Sequence, residues 1–276
     1  MTAARRFLPT DPKDFLRSAV PLILLALAAI QADTRIVVLV LLVLGTTIAT
    51  RRTAPVRWAW AAAVPVAVSL AWGQLTFGQS AGPTGASCPD PAAPLVVARV
   101  IEAVLVLGVL AVLAMVLGAS RTSIALRWPA RRWVRWAVVG FVIAGPLGLL
   151  LGPLLAQPFF GDVGYTLALA PLVPAALFAV ANGVMEEVAY RGALLHWSAR
   201  VMGIGPAVVG QAVVFGLAHS GSDVIGWPIP LAVAMGVGGL LAGIIAVRTR
   251  SLLIPIAVHV GFDLPLYLGL ACSNGS

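Results

Sequence analysis

Three short stretches of this 276-residue sequence combine acids and imidazoles in a way that suits hydrolysis. The first runs from Met185 through Glu186, Glu187 and Tyr190 to Arg191 and Gly192. The second is Phe215-Gly216-Leu217-Ala218-His219, and the third is His259-Val260-Gly261-Phe262-Asp263. Residues four apart share a helix face, and acid before base is the favourable order. Glu187 and Arg191 have that spacing and can neutralise each other. Glu186 is left over, and a carboxylate in apolar surroundings needs a cation or a proton. His259 and Asp263 repeat the four-residue spacing.

The depth of these residues makes them a group. Glu186 and His219 lie on either side of the break Met202-Gly203-Ile204-Gly205-Pro206. If that break turns an antiparallel hairpin, both sit roughly 20 Å from the turn. His259 and Asp263 lie about 12 to 18 Å from the basic end at Arg248 and Arg250. Four side chains from three segments can therefore converge. His219, His259 and Glu186 match a catalytic zinc set with an open position for water. Zn2+ there would activate water and polarise a carbonyl. A metal-free arrangement uses the same residues, with Glu186 as general base and an imidazole or Asp263 at the oxyanion. The spacing is compatible with both.

The elements that position these residues must cross a membrane. The chain is 60% hydrophobic and only 10% charged, and its mean hydropathy is +1.00. Soluble domains carry about a quarter charged residues, and a globule of this size cannot hide the apolar surplus. A span needs about 20 apolar residues. Candidate helices fall at 17–31, 35–50, 58–77, 95–118, 136–156, 166–199, 205–219, 229–247 and 251–270. The fold class expected is an all-α, polytopic transmembrane bundle of eight or nine spans, since the first two runs can be read as two spans or one broken hairpin. The run 166–199 exceeds one span, so its last part is expected to emerge as an amphipathic extension.

Charge orients the bundle. The formal net charge is +8, a value that in a soluble protein would raise nucleic acid as a partner. Here the arginines sit in short loops, as cytoplasmic loops do in membrane proteins, and no nucleic acid is expected. With nine spans and the N-terminus inside, inner segments carry Arg5, Arg6, Lys13 and Arg17; Arg51, Arg52 and Arg57; Arg121, Arg127, Arg131, Arg132 and Arg135; Arg200; and Arg248 with Arg250. Only Arg35 and Arg99 fall outside. The basic start is read as the flank of a retained first span rather than a cleaved signal. Segment 119–135, with Trp128, Trp133 and Trp136, reads as a cytoplasmic loop with interfacial aromatics. Segment 78–94 reads as an outside loop. Cys88 and Cys272 then share the outer face, where a disulfide is permitted; no Cys-x-x-Cys pair offers a thiolate metal site.

The three motifs resemble those of the CPBP family of intramembrane proteases, also called the type II CAAX prenyl endopeptidase or Abi family. The family pattern is Glu-Glu-x-x-x-Arg, Phe-x-x-x-His and His-x-x-x-Asn, matched here at Glu186, Glu187 and Arg191, at Phe215 and His219, and at His259. Asp263 stands where Asn is usual. The resemblance covers roughly 166–270, which divides the chain into N-terminal transmembrane helices (1–165), a catalytic helical core (166–270) and a short tail (271–276). It implies a multi-pass protein of the cell membrane, in a bacterial plasma membrane, with a water-accessible cavity. Its activity would be an endopeptidase acting on a membrane-associated protein or peptide. Glu186 would activate water with His219; His259 and Asp263 would serve the oxyanion or a metal. Glu187, Arg191 and Phe215 would be structural. Membrane lipid and a peptide or protein substrate are the expected partners. A non-proteolytic scaffold or immunity-type protein and a proton-coupled transporter are the competing readings. Glu102 is expected to pair locally with Arg99, His196 to be interfacial, Tyr190 and Trp197 to serve packing or the aromatic belt, and Asn182 is placed to line the cavity.

Overall fold

The computed structural model describes residues 12–52, 54–76, 92–160, 172–219 and 229–271. All regular structure among them is helical. In chain order the helices are α1 (Pro12–Ile30), α2 (Arg35–Arg51), α3 (Arg57–Thr76), α4 (Ala92–Leu117), α5 (Arg131–Phe160), α6 (Leu172–Glu186), α7 (Leu195–Met202), α8 (Ile204–Ala218), α9 (Ile229–Thr249) and α10 (Leu253–Ala271). A π-helical segment, Glu187–Leu194, joins α6 to α7 without a break. Helices are the expected solution in lipid, because each satisfies its own backbone polar groups.

Among the described residues, five helical stretches are long and apolar enough to cross a membrane: Ala32–Arg51, Val96–Leu117, Arg131–Gly152, Leu172–Met202 and Ile229–Thr249. Two shorter apolar helices, Ile204–Ala218 and Leu253–Tyr267, accompany them. The outward faces are rich in Leu, Val and Ile: Val37, Leu41, Leu44 and Ile48 on α2, Val104 and Val116 on α4, and Val138, Val142 and Leu150 on α5 are all exposed. A continuous apolar exterior of this extent marks a lipid-facing surface, and the chain is a multi-pass membrane protein. The boundaries expected from hydropathy match the observed helices to within a few residues at most ends.

Helix α3 is the interior element. Ala61, Ala62, Ala63 and Val66 have no exposed surface, and small side chains there let neighbouring backbones approach. It packs against α1, α2, α4, α7 and the π segment. Helix α10, which carries His259 and Asp263, lies along α5 and α6. The contact with α5 is built on glycine: a Cβ at Gly261 would overlap the Phe141 carbonyl, and one at Gly148 would overlap the Phe262 carbonyl. Both obstacles are backbone, so no side-chain rotation relieves them.

Two expectations need correction or completion. The end of the long run is amphipathic, as expected, with Arg200 exposed, but its apolar face is buried in the bundle. Leu172–Met202 is one helical rod whose last part is buried. Trp197 is fully buried, packs edge-on against Trp58 at 5.6 Å and donates its indole N–H to Ser123 Oγ at 3.1 Å. Leu195, Trp197, Val201 and Met202 form the apolar face that is buried, while Arg200 remains exposed. The rod ends at Gly203, whose φ of +84° only glycine adopts at little cost, and α8 follows at once. Segment 119–130 is also more than a loose loop. Ile124 and Ala125 join the core, Arg127 donates to the Arg250 carbonyl at 2.6 Å, and Ser251 Oγ donates to the Arg127 carbonyl at 2.9 Å. Ser251 Oγ also accepts the Leu253 N–H at the start of α10. Trp128 and Trp136 remain exposed, as aromatic-belt residues should. Helices α1 and α2 are separate, joined by a 3₁₀ turn at Ala32–Thr34. Arg5, Arg6, most of segment 78–94, Cys88 and Cys272 lie outside the described residues.

Substituting Gly261→Ala should force α10 away from α5 and destabilise the fold by about 1–3 kcal/mol. Gly108→Ala on α4, where a Cβ meets nothing within 4 Å, should be neutral or mildly stabilising. Thermal unfolding of the detergent-solubilised variants checks both; equal midpoints would refute the close-packing account.

Candidate active site

The three motifs meet at one point. The last turn of α6 supplies Asn182 and Glu186, the π segment supplies Glu187 and Arg191, the end of α8 supplies His219, and α10 supplies His259 and Asp263. Glu186 Oε2 stands 3.7 Å from His259 Nε2 and 4.0 Å from His219 Nε2. His259 Nε2 is also 3.5 Å from Asp263 Oδ2. All four residues singled out for chemistry therefore share one cluster, at the common depth that their distances from the helix ends predicted.

Each imidazole is oriented through its other nitrogen. His219 Nδ1 lies 2.8 Å from the Phe215 carbonyl, and His259 Nδ1 lies 2.9 Å from Glu187 Oε1. A carbonyl oxygen and a carboxylate only accept hydrogen bonds, so Nδ1 carries the proton in both rings. Both Nε2 atoms are thereby turned toward Glu186. Glu186 Oε2 is buried and has no hydrogen-bond partner among the described residues. The separations of 3.7 and 4.0 Å are too long for direct hydrogen bonds and suit a bridging water. His219 is the most open of the four, with 30% of its side chain exposed, so access to Glu186 is from the α8 end.

Glu187 does more than its sequence spacing suggested. Its Oε1 meets Arg191 Nη1 at 3.0 Å, the expected pair, and also the His259 Nδ1 proton. Both Glu187 and Arg191 are about 1% exposed. Arg191 in turn lies over the Phe215 ring, 3.9 Å from its centroid, and Phe215 stacks obliquely on His219 at 4.5 Å. The three motifs are thus linked side chain to side chain.

Asn182 deserves more weight than sequence gave it. Its amide donates to Asp263 Oδ2 at 2.7 Å and lies 3.5 Å from His259 Nε2. The only sequence signal was its position one turn before Glu186. The N-terminal half contributes a second charged group. Glu102 on α4 pairs with Arg99 at 2.9 Å, as expected, and its other oxygen accepts Ser69 Oγ–H from α3 at 2.6 Å. Arg99 lies 5.6 Å from the Phe178 ring of α6. His196 bonds the Arg191 carbonyl through Nδ1, and Tyr190 packs edge-on against Phe215.

The zinc expectation meets a different donor arrangement. Among the described residues, no three His, Cys, Asp or Glu side chains are grouped to hold a metal ion. The Asn182 amide, a donor, stands beside His259 Nε2 and Asp263 where a cation would need acceptors. Both unprotonated Nε2 atoms nonetheless face Glu186 Oε2, at 3.7 and 4.0 Å.

Comparison with known proteins bears on the same segment. No curated protein and no solved structure matches the chain. Residues 168–265 match the family model described as type II CAAX prenyl endopeptidase Rce1-like. All three motifs, and every side chain of the cluster, lie inside that match, so this segment of the chain is similar to the type II CAAX prenyl endopeptidase family.

Proposed function

We propose that the protein is an intramembrane endopeptidase that hydrolyses a peptide bond of a membrane-associated protein or peptide by glutamate-activated water, with a prenylated CAAX-type tail as the substrate class the family match favours. The observation that carries this reading is the buried, unbonded Glu186 Oε2 facing two oriented imidazoles at 3.7 and 4.0 Å. A water in that gap gives one proton to Glu186 while its oxygen adds to the carbonyl carbon. The carbonyl π pair moves onto oxygen. On collapse that pair returns, the C–N bond breaks, and the proton held by Glu186 leaves with the amine. His219 orients the water from the open side. His259 and Asp263 flank the position of the carbonyl oxygen. Glu187 and Arg191 hold His259 and Phe215 in place.

The donor arrangement favours a metal-free route over zinc on Glu186, His219 and His259. The topology proposed is nine membrane-embedded helical segments in a bacterial plasma membrane, with the N-terminus and the arginine-rich ends inside.

Three results are expected. Glu186→Gln should lower turnover of an internally quenched prenylated peptide about 10²–10⁴-fold, the range for a general base, with the thermal midpoint retained. Turnover near wild type would refute the role. Dialysis against a strong zinc chelator should leave activity unchanged; inactivation reversed by Zn2+ would restore the metal reading. Alkaline phosphatase fused after Ala81 should be active and after Ser120 inactive, and the reverse pattern would overturn the orientation.

A further inference from the structure

Hydrolysis at this cluster requires a donor for the oxygen that gains charge, and the obvious candidates are spent. Glu186 and Asp263 only accept when ionised. His219 commits its Nδ1 proton to the Phe215 carbonyl, and His259 commits its own to Glu187. With both Nδ1 protons engaged, neither serves the carbonyl oxygen. The side-chain amide of Asn182 has two N–H protons, and one is used on Asp263 Oδ2 at 2.7 Å.

We infer that Asn182 is a catalytic residue: its second amide N–H stabilises the carbonyl oxygen as it becomes an oxyanion, and Asp263 holds the amide in that orientation. The inference rests on the endopeptidase reading and deepens it. The orientation of the amide follows from chemistry. Were it turned over, the amide oxygen would face a carboxylate oxygen at 2.7 Å, two acceptors in contact. With nitrogen toward Asp263, the free proton points into the cluster, where its nearest polar neighbour is His259 Nε2 at 3.5 Å. That is the long limit of a hydrogen bond, so the proton is available to a closer acceptor.

Two further observations agree. Among the described residues, Asn182 Oδ1 is buried and has no hydrogen-bond partner. The amide is therefore held by its nitrogen, through Asp263, at the expense of its own oxygen. Asn182 also sits four residues before Glu186 on α6, so the two side chains project one above the other, about 5–6 Å apart at Cβ. That interval can hold a carbonyl group and the water attacking it, with the base at one end and the donor at the other. No proton is transferred at Asn182. The hydrogen bond shortens as the π pair moves onto oxygen and lengthens when the C–N bond breaks.

The test exchanges the two groups, using the full-length protein in proteoliposomes and an internally quenched prenylated peptide. Asn182→Ala and Asn182→Asp should each lower kcat about 10²–10³-fold, the usual loss on removing one oxyanion donor, with little change in KM. The double variant N182D/D263N restores one amide beside one carboxylate and should recover at least about tenfold over N182D. A merely structural role for Asn182 predicts no such recovery. Thermal midpoints accompany each variant, and if the alanine variant fails to fold, the isosteric N182D and the exchange decide. The assignment is overturned if Asn182→Ala keeps wild-type kcat, or if the exchange is as slow as N182D, while Glu186→Gln is inactive. Should wild type show no turnover, or Glu186→Gln match it, the endopeptidase reading itself falls and the inference with it.

Discussion

One carboxylate oxygen ties the site together. Glu187 Oε1 forms an ion pair with Arg191 at 3.0 Å and accepts the His259 ring N–H at 2.9 Å, joining the π segment to α10. Arg191 carries the linkage on to Phe215, and Phe215 to His219 on α8. Burying such charges without partners costs several kcal/mol each, so the three helices that bear them are held to one relative placement. Removing Glu187 would leave Arg191 buried without its carboxylate and the His259 ring without the acceptor that sets its tautomer. Placement of Glu186 depends on the same linkage, because it is the neighbouring residue on the same rod.

The scaffold around this linkage is built for close approach. Glycines at 148 and 261 let α10 lie against α5 at backbone distance, and the alanines of α3 do the same at the centre of the bundle. On the other side of α9, Gln211 donates to the Gly239 carbonyl at 2.9 Å, a polar tie between α8 and α9 in apolar surroundings. The N-terminal helices add a polar group of their own. Ser69, Arg99 and Glu102 form a separate bonded group on α3 and α4, and α4 packs against α6.

Much of this was legible from residue types. Continuous apolar runs identified the helices because lipid demands uniform apolarity over a fixed length. Ionisable residues inside those runs marked the site because their cost excludes casual placement. Spacing gave the Glu187–Arg191 pair and the matching depth of Glu186 and His219. What spacing could not give was the partner across helices. Glu187 reaching His259, and Asn182 reaching Asp263, span more than seventy residues of sequence. The π segment was also invisible, since its residues do not differ in type from those of an ordinary helix turn. The burial of α7 was not legible because an amphipathic face does not say whether it packs on lipid or on neighbouring helices, here α3 and α8.

Helix α8 is short. Its fifteen residues, Ile204–Ala218, extend about 22 Å, whereas the hydrocarbon layer is about 30 Å thick. His219 follows the helix's last residue immediately. Hydrophobic mismatch of this kind is met by local thinning of the bilayer. A pinched leaflet beside α8 would bring the water boundary closer to the imidazole of His219.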